Sequence, residues 1–312
     1  MFPLSFIIGV TILTLSAKPV PVLTGEPIPR GCGVGKCIAL PLCELHYVEA
    51  GSGAPLIIVP ATMSDLSYWY GLIQFAAQRF HVFFFELPGH GQSTPLPQYS
   101  SQEVARVIGD WLDALGLEHV TLMGVSFGGI VTLTILKSLS ERIERVVLLS
   151  PLVDSSALQV SSFSRVILHS ATAVAQYPWV QRLSYASLQS NLGSRFWAQV
   201  AVTVGNMEHV EMIQRRLQTI PYSTIQAFSG QMTEVLNTHE FSVAAHYPQP
   251  CYFAMSVHDP LLSFPRTSVI LHKIFDTVEE VPLDLPYHQP REPLTFDYLN
   301  RNFYHLLERV PV

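Results

Sequence analysis

The sequence predicts an α/β fold, a mostly parallel central sheet flanked by helices, with a helical cap inserted late in the chain. From Ile38 onward, short apolar runs alternate with longer segments of helical spacing. The alternation stops at Asp154, where helical patterns follow one another as far as Pro248, and it resumes at Cys251. Strands that alternate with helices pair in parallel, because each crossover returns along a face of the sheet. At 312 residues the chain has room for one large core and an inserted subdomain.

The N-terminal segment 1–17 is apolar from Phe2 to about Leu15 and reads as an export signal or a weak membrane anchor. It lacks the basic residues of a strong signal and is shorter than a comfortable span, so a buried strand or helix is the competing reading. An exported or membrane-associated protein is favoured over a cytoplasmic one. Residues 18–37 are rich in Pro and Gly and read as a linker. The core takes residues 38–153 and 249–312, and the cap takes 154–248.

Within the core, "ALPLCELHYVEAG" predicts two strands or a hairpin closing at Gly51-Ser52-Gly53. "PLIIVP" and "HVFFFELPG" are short buried strands, with the helix-spaced "SYWYGLIQFAAQRF" between them. After Ser101, Val104, Val107, Ile108, Trp111, Leu112 and Leu115 share one helical face, and Gly116 stands where a helix C-cap belongs. A strand "HVTLMGVS", a helix "GGIVTLTILKSLSERI" and a strand "ERVVLLSPLV" follow. The cap's helical patterns are broken at Pro178, Gly193, Gly205 and Pro221. A strand at "CYFAMSV", another near Val278–Val281 and the helix "LTFDYLNRNFYHLL" complete the core.

Charged residues are 13% of the chain, against about 25% in ordinary globular proteins. The net charge is −6 and no Lys/Arg cluster is present to neutralise phosphates, which excludes a nucleic-acid partner. A small or lipidic partner fits better, with membrane association through the N-terminus as a further expectation. Cys32, Cys37 and Cys43 cluster and Cys251 stands apart. Cys32 and Cys37 can close a small disulfide loop if the protein is exported. No paired C-x-x-C supports a zinc site, and "GCGVGKC" lacks the Ser/Thr of a phosphate-binding loop.

The strongest chemical signal is "MGVSFGG", Met123 to Gly129, a G-x-S-x-G between a predicted strand and a predicted helix. Such a turn lifts Ser126 Oγ out of the fold at the positive end of a helix. A serine hydroxyl is a weak nucleophile and needs a base, which in turn needs an orienting acid.

On these residues the chain resembles the α/β-hydrolase superfamily, in its group of capped esterases, lipases and carbon–carbon bond hydrolases, from about Cys43 to the C-terminus. "ELPGHGQS" is similar to the family's acidic-x-x-Gly-x-Gly-x-Ser turn, with Glu86 where Asp is more usual and read as structural. "AMSVHDPLLSF" resembles the segment that carries the acid, and implies Asp259 in that role. "LDLPYHQPREP" resembles the segment that carries the base, and implies His288. Asp154, at the end of an earlier strand, is the rival acid; His258, His272 and His305 read as structural. The resemblance places the oxyanion donors at the backbone N–H groups of Phe127 and Thr62. It also exposes a departure, because Pro60-Ala61 stands where the family usually has His-Gly. Pro60 has no N–H and Ala61 tolerates positive φ poorly, so a reshaped oxyanion loop is expected.

The function these residues imply is a serine hydrolase that cleaves a hydrophobic carboxylic ester, or a related acyl substrate, through an acyl-enzyme. Carbon–carbon bond hydrolase, thioesterase and acyltransferase chemistry on the same triad is the alternative, as is a non-catalytic ligand-binding protein on this fold. No metal or organic cofactor is implied. In the cap, Phe163, Val166, Ile167, Tyr177, Trp179, Tyr185, Phe196, Trp197 and Met207 either line an apolar acyl pocket or form the cap's own core.

Overall fold

The computed structural model describes residues 35–205, 210–239, 241, 246–288 and 294–311. The N-terminal segment expected to be a signal or anchor, most of the expected linker, Cys32 and Met207 lie outside the described residues. Among the described residues no helix is long and apolar enough to cross a membrane.

Eight strands form one sheet in the order β1-β2-β4-β3-β5-β6-β7-β8. The strands are β1 (Lys36–Ala39), β2 (Glu44–Ala50), β3 (Pro55–Val59), β4 (His81–Phe85), β5 (Val120–Val125), β6 (Ile143–Leu149), β7 (Cys251–Ser256) and β8 (Val278–Leu283). β1 and β2 form a hairpin that turns at residues 40–43 rather than at Gly51–Gly53, which leads into β3, and β2 pairs antiparallel with β4. Every pairing from β4 through β8 is parallel.

The helices of the core are α1 (Leu66–Ala76), α2 (Ser101–Leu115), α3 (Gly128–Ser138), α9 (Phe264–Ile274) and α10 (Phe296–Arg309). Between β6 and β7 the chain inserts α4 (Ser162–Ala175), α5 (Pro178–Gln189), α6 (Asn191–Gly205), α7 (Val210–Thr219) and α8 (Tyr222–Asn237). Local chemistry explains several of these boundaries. Ser100 Oγ accepts from Glu103 N to cap α2, which ends on Gly116 in the left-handed region at φ 66°, as its sequence position predicts. Pro178 starts α5, where the missing N–H costs nothing. Gly193 does not break a helix as expected. It lies in the first turn of α6, where an added Cβ would stand 2.2 Å from Ser187 O, so close packing selects it.

Side chains alternate across the strands, as the two-residue period requires. Ile57, Val59, Phe83, Phe85 and Leu122 face one apolar layer with α2, α3, α9 and much of the cap. Leu56, Ile58, Val82, Phe84 and Met123 face the other, with α1 and α10. The carboxyl ends of β5, β7 and β8 therefore meet along one edge, with α10 behind them.

Candidate active site

β5 ends at Val125 and α3 begins at Gly128, so the chain turns in two residues at Ser126. Ser126 sits at φ 52°, a conformation that L-residues avoid and that surrounding bonds must hold. Its N–H donates to Leu149 O at 3.1 Å, and its C=O accepts from Gly129 N and Leu152 N at 2.9 Å each. These bonds reach both β6 and α3, so the strained turn is fixed from two sides.

The residues expected to form the triad come together. Ser126 Oγ lies 2.9 Å from His288 Nε2. His288 Nδ1 lies 2.5 Å from Asp259 Oδ2, with both side chains buried. The other carboxylate oxygen, Asp259 Oδ1, accepts from the N–H groups of Leu261 and Leu262 at 2.8 and 3.0 Å. A buried carboxylate survives only when its lone pairs are satisfied, and here three donors converge on it. The rival acid, Asp154, has a different task. Its Oδ1 accepts from Ser156 N at 2.8 Å and lies 3.4 Å from His239 Nδ1, so it caps a short turn at the start of the cap. His258 and His272 face Asp284 and Glu280, and His305 is exposed.

The loop after β3, expected to carry an oxyanion donor, packs on the nucleophile turn, where Gly128 lies against the Val59 carbonyl. Phe127 is the N-cap of α3, a position whose N–H lies outside the helical ladder. Pro60 and Ala61 are buried, and the left-handed position of the loop falls on Met63 at φ 55° rather than on Ala61. Ala61 therefore does not carry the positive φ that it would tolerate poorly. Two contacts stiffen the loop. Ser64 Oγ donates to Ala61 O at 2.7 Å and accepts from Trp69 Nε1 at 2.8 Å. Thr62 Oγ1 donates to Oε1 of Gln231, a fully buried residue of α8. The sequence offered no sign of that link, because Gln231 is one polar position in a helix of mixed composition.

Glu86 behaves as a strut, as expected. Its carboxylate accepts from Leu66 N, Gln92 N and His46 at 2.7–2.9 Å, joining β2 and α1 to the Gly-rich turn. His90 in that turn is buried, and desolvation pulls its pKa down to about 4 against weaker opposing effects of the Pro88 carbonyl and Glu86.

A cavity of about 130 Å³ opens at Ser126 and His288. Among the described residues it is walled by β5, β6, β7 and β8 and by residues of α1 and α10. Of the cap residues expected either to line an acyl pocket or to form the cap's own core, several are exposed. Phe163 is 76% exposed and Trp179 is 64% exposed, and Val166, Tyr177 and Phe196 also face outward. Tyr185 and Trp197 pack against the core instead. Among the described residues, no group of three or more His, Cys, Asp or Glu side chains gathers as a metal site.

Comparison with known proteins agrees with this geometry. The (E)-2-((N-methylformamido)methylene)succinate hydrolase of Acinetobacter baylyi is 29% identical over 109 residues, 34% of this chain and 40% of that protein. The match thus spans well under two thirds of that relative. Among solved structures, a thermophilic esterase from Thermogutta terrifontis superposes with TM-score 0.62 at 16% identity, covering 88% of this chain and 97% of that one. A meta-cleavage product hydrolase from Pseudomonas fluorescens gives TM-score 0.61 at 17% identity over 88% and 98%. Identities this low speak to fold alone. A family model described as the alpha/beta hydrolase fold matches residues 54–237, more than half of the chain. With that match, the elbow at Ser126 and the assembled Ser126–His288–Asp259 triad, the chain belongs to the α/β-hydrolase fold family.

Proposed function

We propose that the protein is a serine hydrolase of small apolar carbonyl compounds, working through an acyl-enzyme on Ser126. The observation that carries this is the unbroken relay from Ser126 Oγ through His288 to Asp259. In this reading His288 Nε2 takes the hydroxyl proton as Ser126 Oγ attacks the carbonyl carbon, and then delivers it to the leaving group. Asp259 holds the imidazole with its proton on Nδ1 and stabilises the imidazolium. The N–H groups of Phe127 and Thr62 receive the developing oxyanion. Water, activated by His288, then releases the acyl group.

The bond cleaved is proposed as a class. A hydrophobic ester remains in reach, yet the relatives favour the wider alternative over an ester alone. They include an esterase, a meta-cleavage product hydrolase and a hydrolase of a substituted succinate. Ester and carbon–carbon hydrolysis differ in the leaving group and share the triad and the oxyanion site.

A fluorophosphonate probe tests the shared step. The expected result is covalent labelling that disappears in Ser126→Ala. A folded wild-type protein that takes no label would end the hydrolase reading, since the probe requires only an activated serine.

A further inference from the structure

Hydrophobic side chains scattered singly over a surface are ordinary. Those of the cap recur at helical spacing instead. Along α4 and just past its end, Phe163, Val166, Ala173, Val174 and Tyr177 are exposed and share one helical face. On α5 the exposed face carries Trp179, Arg182, Leu183 and Ala186, and on α6 it carries Leu192, Arg195, Phe196 and Gln199, both at i, i+3, i+4, i+7 spacing. The opposite faces are buried, through Leu168 and Thr172 on α4, Gln181 and Leu188 on α5, and Ser194 and Ala198 on α6.

The packing turns these stripes outward. α4 and α5 both lie on α8, where Gln176 Nε2 donates to Ser229 O at 2.7 Å and Gln181 Nε2 donates to Ser229 Oγ at 2.9 Å. Their free faces therefore point away from α8. α6 packs beside α5, with Trp197 Nε1 donating to Ser187 Oγ at 3.1 Å.

Charge singles out the same helices. The whole chain carries −6, yet from Ser155 to Met207 it has no Asp or Glu, and it has Arg165, Arg182 and Arg195. Arg165 donates to Ser155 O, whereas Arg182 and Arg195 are exposed within the apolar stripes of α5 and α6. An arginine so placed lays its stem along apolar surface and carries its head to an anion. Aromatic and aliphatic stripes with a net positive charge suit the headgroup boundary of an anionic bilayer. Two other occupants fit worse. In a symmetric dimer this face would meet itself and bring like charges together. The apolar segment 1–17 has no acidic residue to pair with the arginines.

We propose that the outer face of α4, α5 and α6 docks on an anionic lipid surface. Trp179, Leu183, Leu192 and Phe196 enter the headgroup boundary, and Arg182 and Arg195 bind the anionic headgroups. This contact is separate from any anchoring by the N-terminal segment and does not depend on the hydrolase reading.

The test is flotation of the full chain with vesicles of phosphatidylcholine and phosphatidylserine in a ratio of about 2:1. The expected result is co-flotation that weakens roughly thirtyfold when phosphatidylserine is left out, at about fivefold for each exposed arginine. Arg182→Glu should lower partition by at least about fivefold. Trp179→Ser combined with Leu183→Ser should lower it by at least about tenfold, with Tm unchanged because both positions are exposed. Of the four tryptophans, Trp69 and Trp111 are fully buried and Trp197 is partly buried, which leaves Trp179 as the exposed one. Tryptophan emission should therefore shift to the blue when vesicles are added, and Trp179→Ser should lose the shift.

Vesicle binding that these variants leave unchanged would belong to the N-terminal segment and overturn the proposal. Binding that needs Trp179 and Leu183 but ignores Arg182→Glu and phosphatidylserine overturns the anionic surface as the partner. No binding, together with a dimer in sedimentation that the Trp179→Ser, Leu183→Ser variant dissociates, gives the face to a second copy of the chain. No binding without such a dimer overturns the lipid contact as well.

Discussion

A Cβ on Gly128 would stand 2.3 Å from the carbonyl oxygen of Val59. The first residue of α3 and the last residue of β3 are thus in backbone contact, and this is how the nucleophile turn reaches the loop after β3. Neither backbone can retreat cheaply, since Val59 pairs with Gly124 in the sheet. Gly128→Ala is therefore expected to cost about 1–3 kcal/mol in stability. It should also reduce kcat by about a hundredfold through displacement of the site. Urea unfolding and ester kinetics on the same preparation check both figures.

The two candidate acids predict different defects. Asp259→Asn should keep the fold and lower kcat by about 10⁴-fold, because an amide favours the wrong imidazole tautomer. Asp154→Asn should leave kcat within a few-fold and lower stability by about 1 kcal/mol, through the weakened cap on its short turn. Reversal of these two results would transfer the acid's role to Asp154.

Gln231 reaches from α8 to the Thr62 hydroxyl. Gln231→Ala removes that restraint and leaves the Thr62 N–H in place. The expected outcome is a fall in kcat with KM little changed, smaller than the 10²–10³-fold loss that accompanies deletion of an oxyanion donor. A change confined to KM would instead place Gln231 in ground-state binding.

His90 makes a pH prediction. Burial lowers its folded pKa to about 4 from an ordinary 6.5. Between those values the unfolded chain binds the extra proton, so stability rises with pH through this window. The contribution is complete above about pH 6.5 and is lost as the pH falls towards 4, a difference of about 3 kcal/mol. His90→Leu should flatten this part of the stability profile, measured by urea unfolding at pH 4.5 and pH 7. An unchanged slope would assign the acid sensitivity to other groups.

The parts of the fold legible in the sequence were those with a short-range cause. The alternation of strand and helix, the Gly116 cap and the strand–turn–helix around Ser126 depend on neighbouring residues, and they stand where the pattern puts them. Asp259 and His288 were legible through their position after strands in a motif order. What escaped depends on how separate elements pack against one another. Gly193 was read as a breaker because its reason, the Ser187 carbonyl, lies in another helix. The cap aromatics were read as pocket lining or cap core, and several are exposed instead, because apolar composition does not say which way a side chain faces. The cavity at Ser126 was invisible because it is built jointly by four strands and two helices.

Ser126 and His288 are 162 positions apart in the chain. The contact that makes the nucleophile reactive is therefore among the longest loops the polypeptide has to close. Closure over such a separation is slow and late, since its entropy is lost before any contact repays it. During refolding, helical circular dichroism should recover first and reactivity towards a serine-directed probe last. The catalytic centre is, in effect, the molecule's own clock for the end of folding.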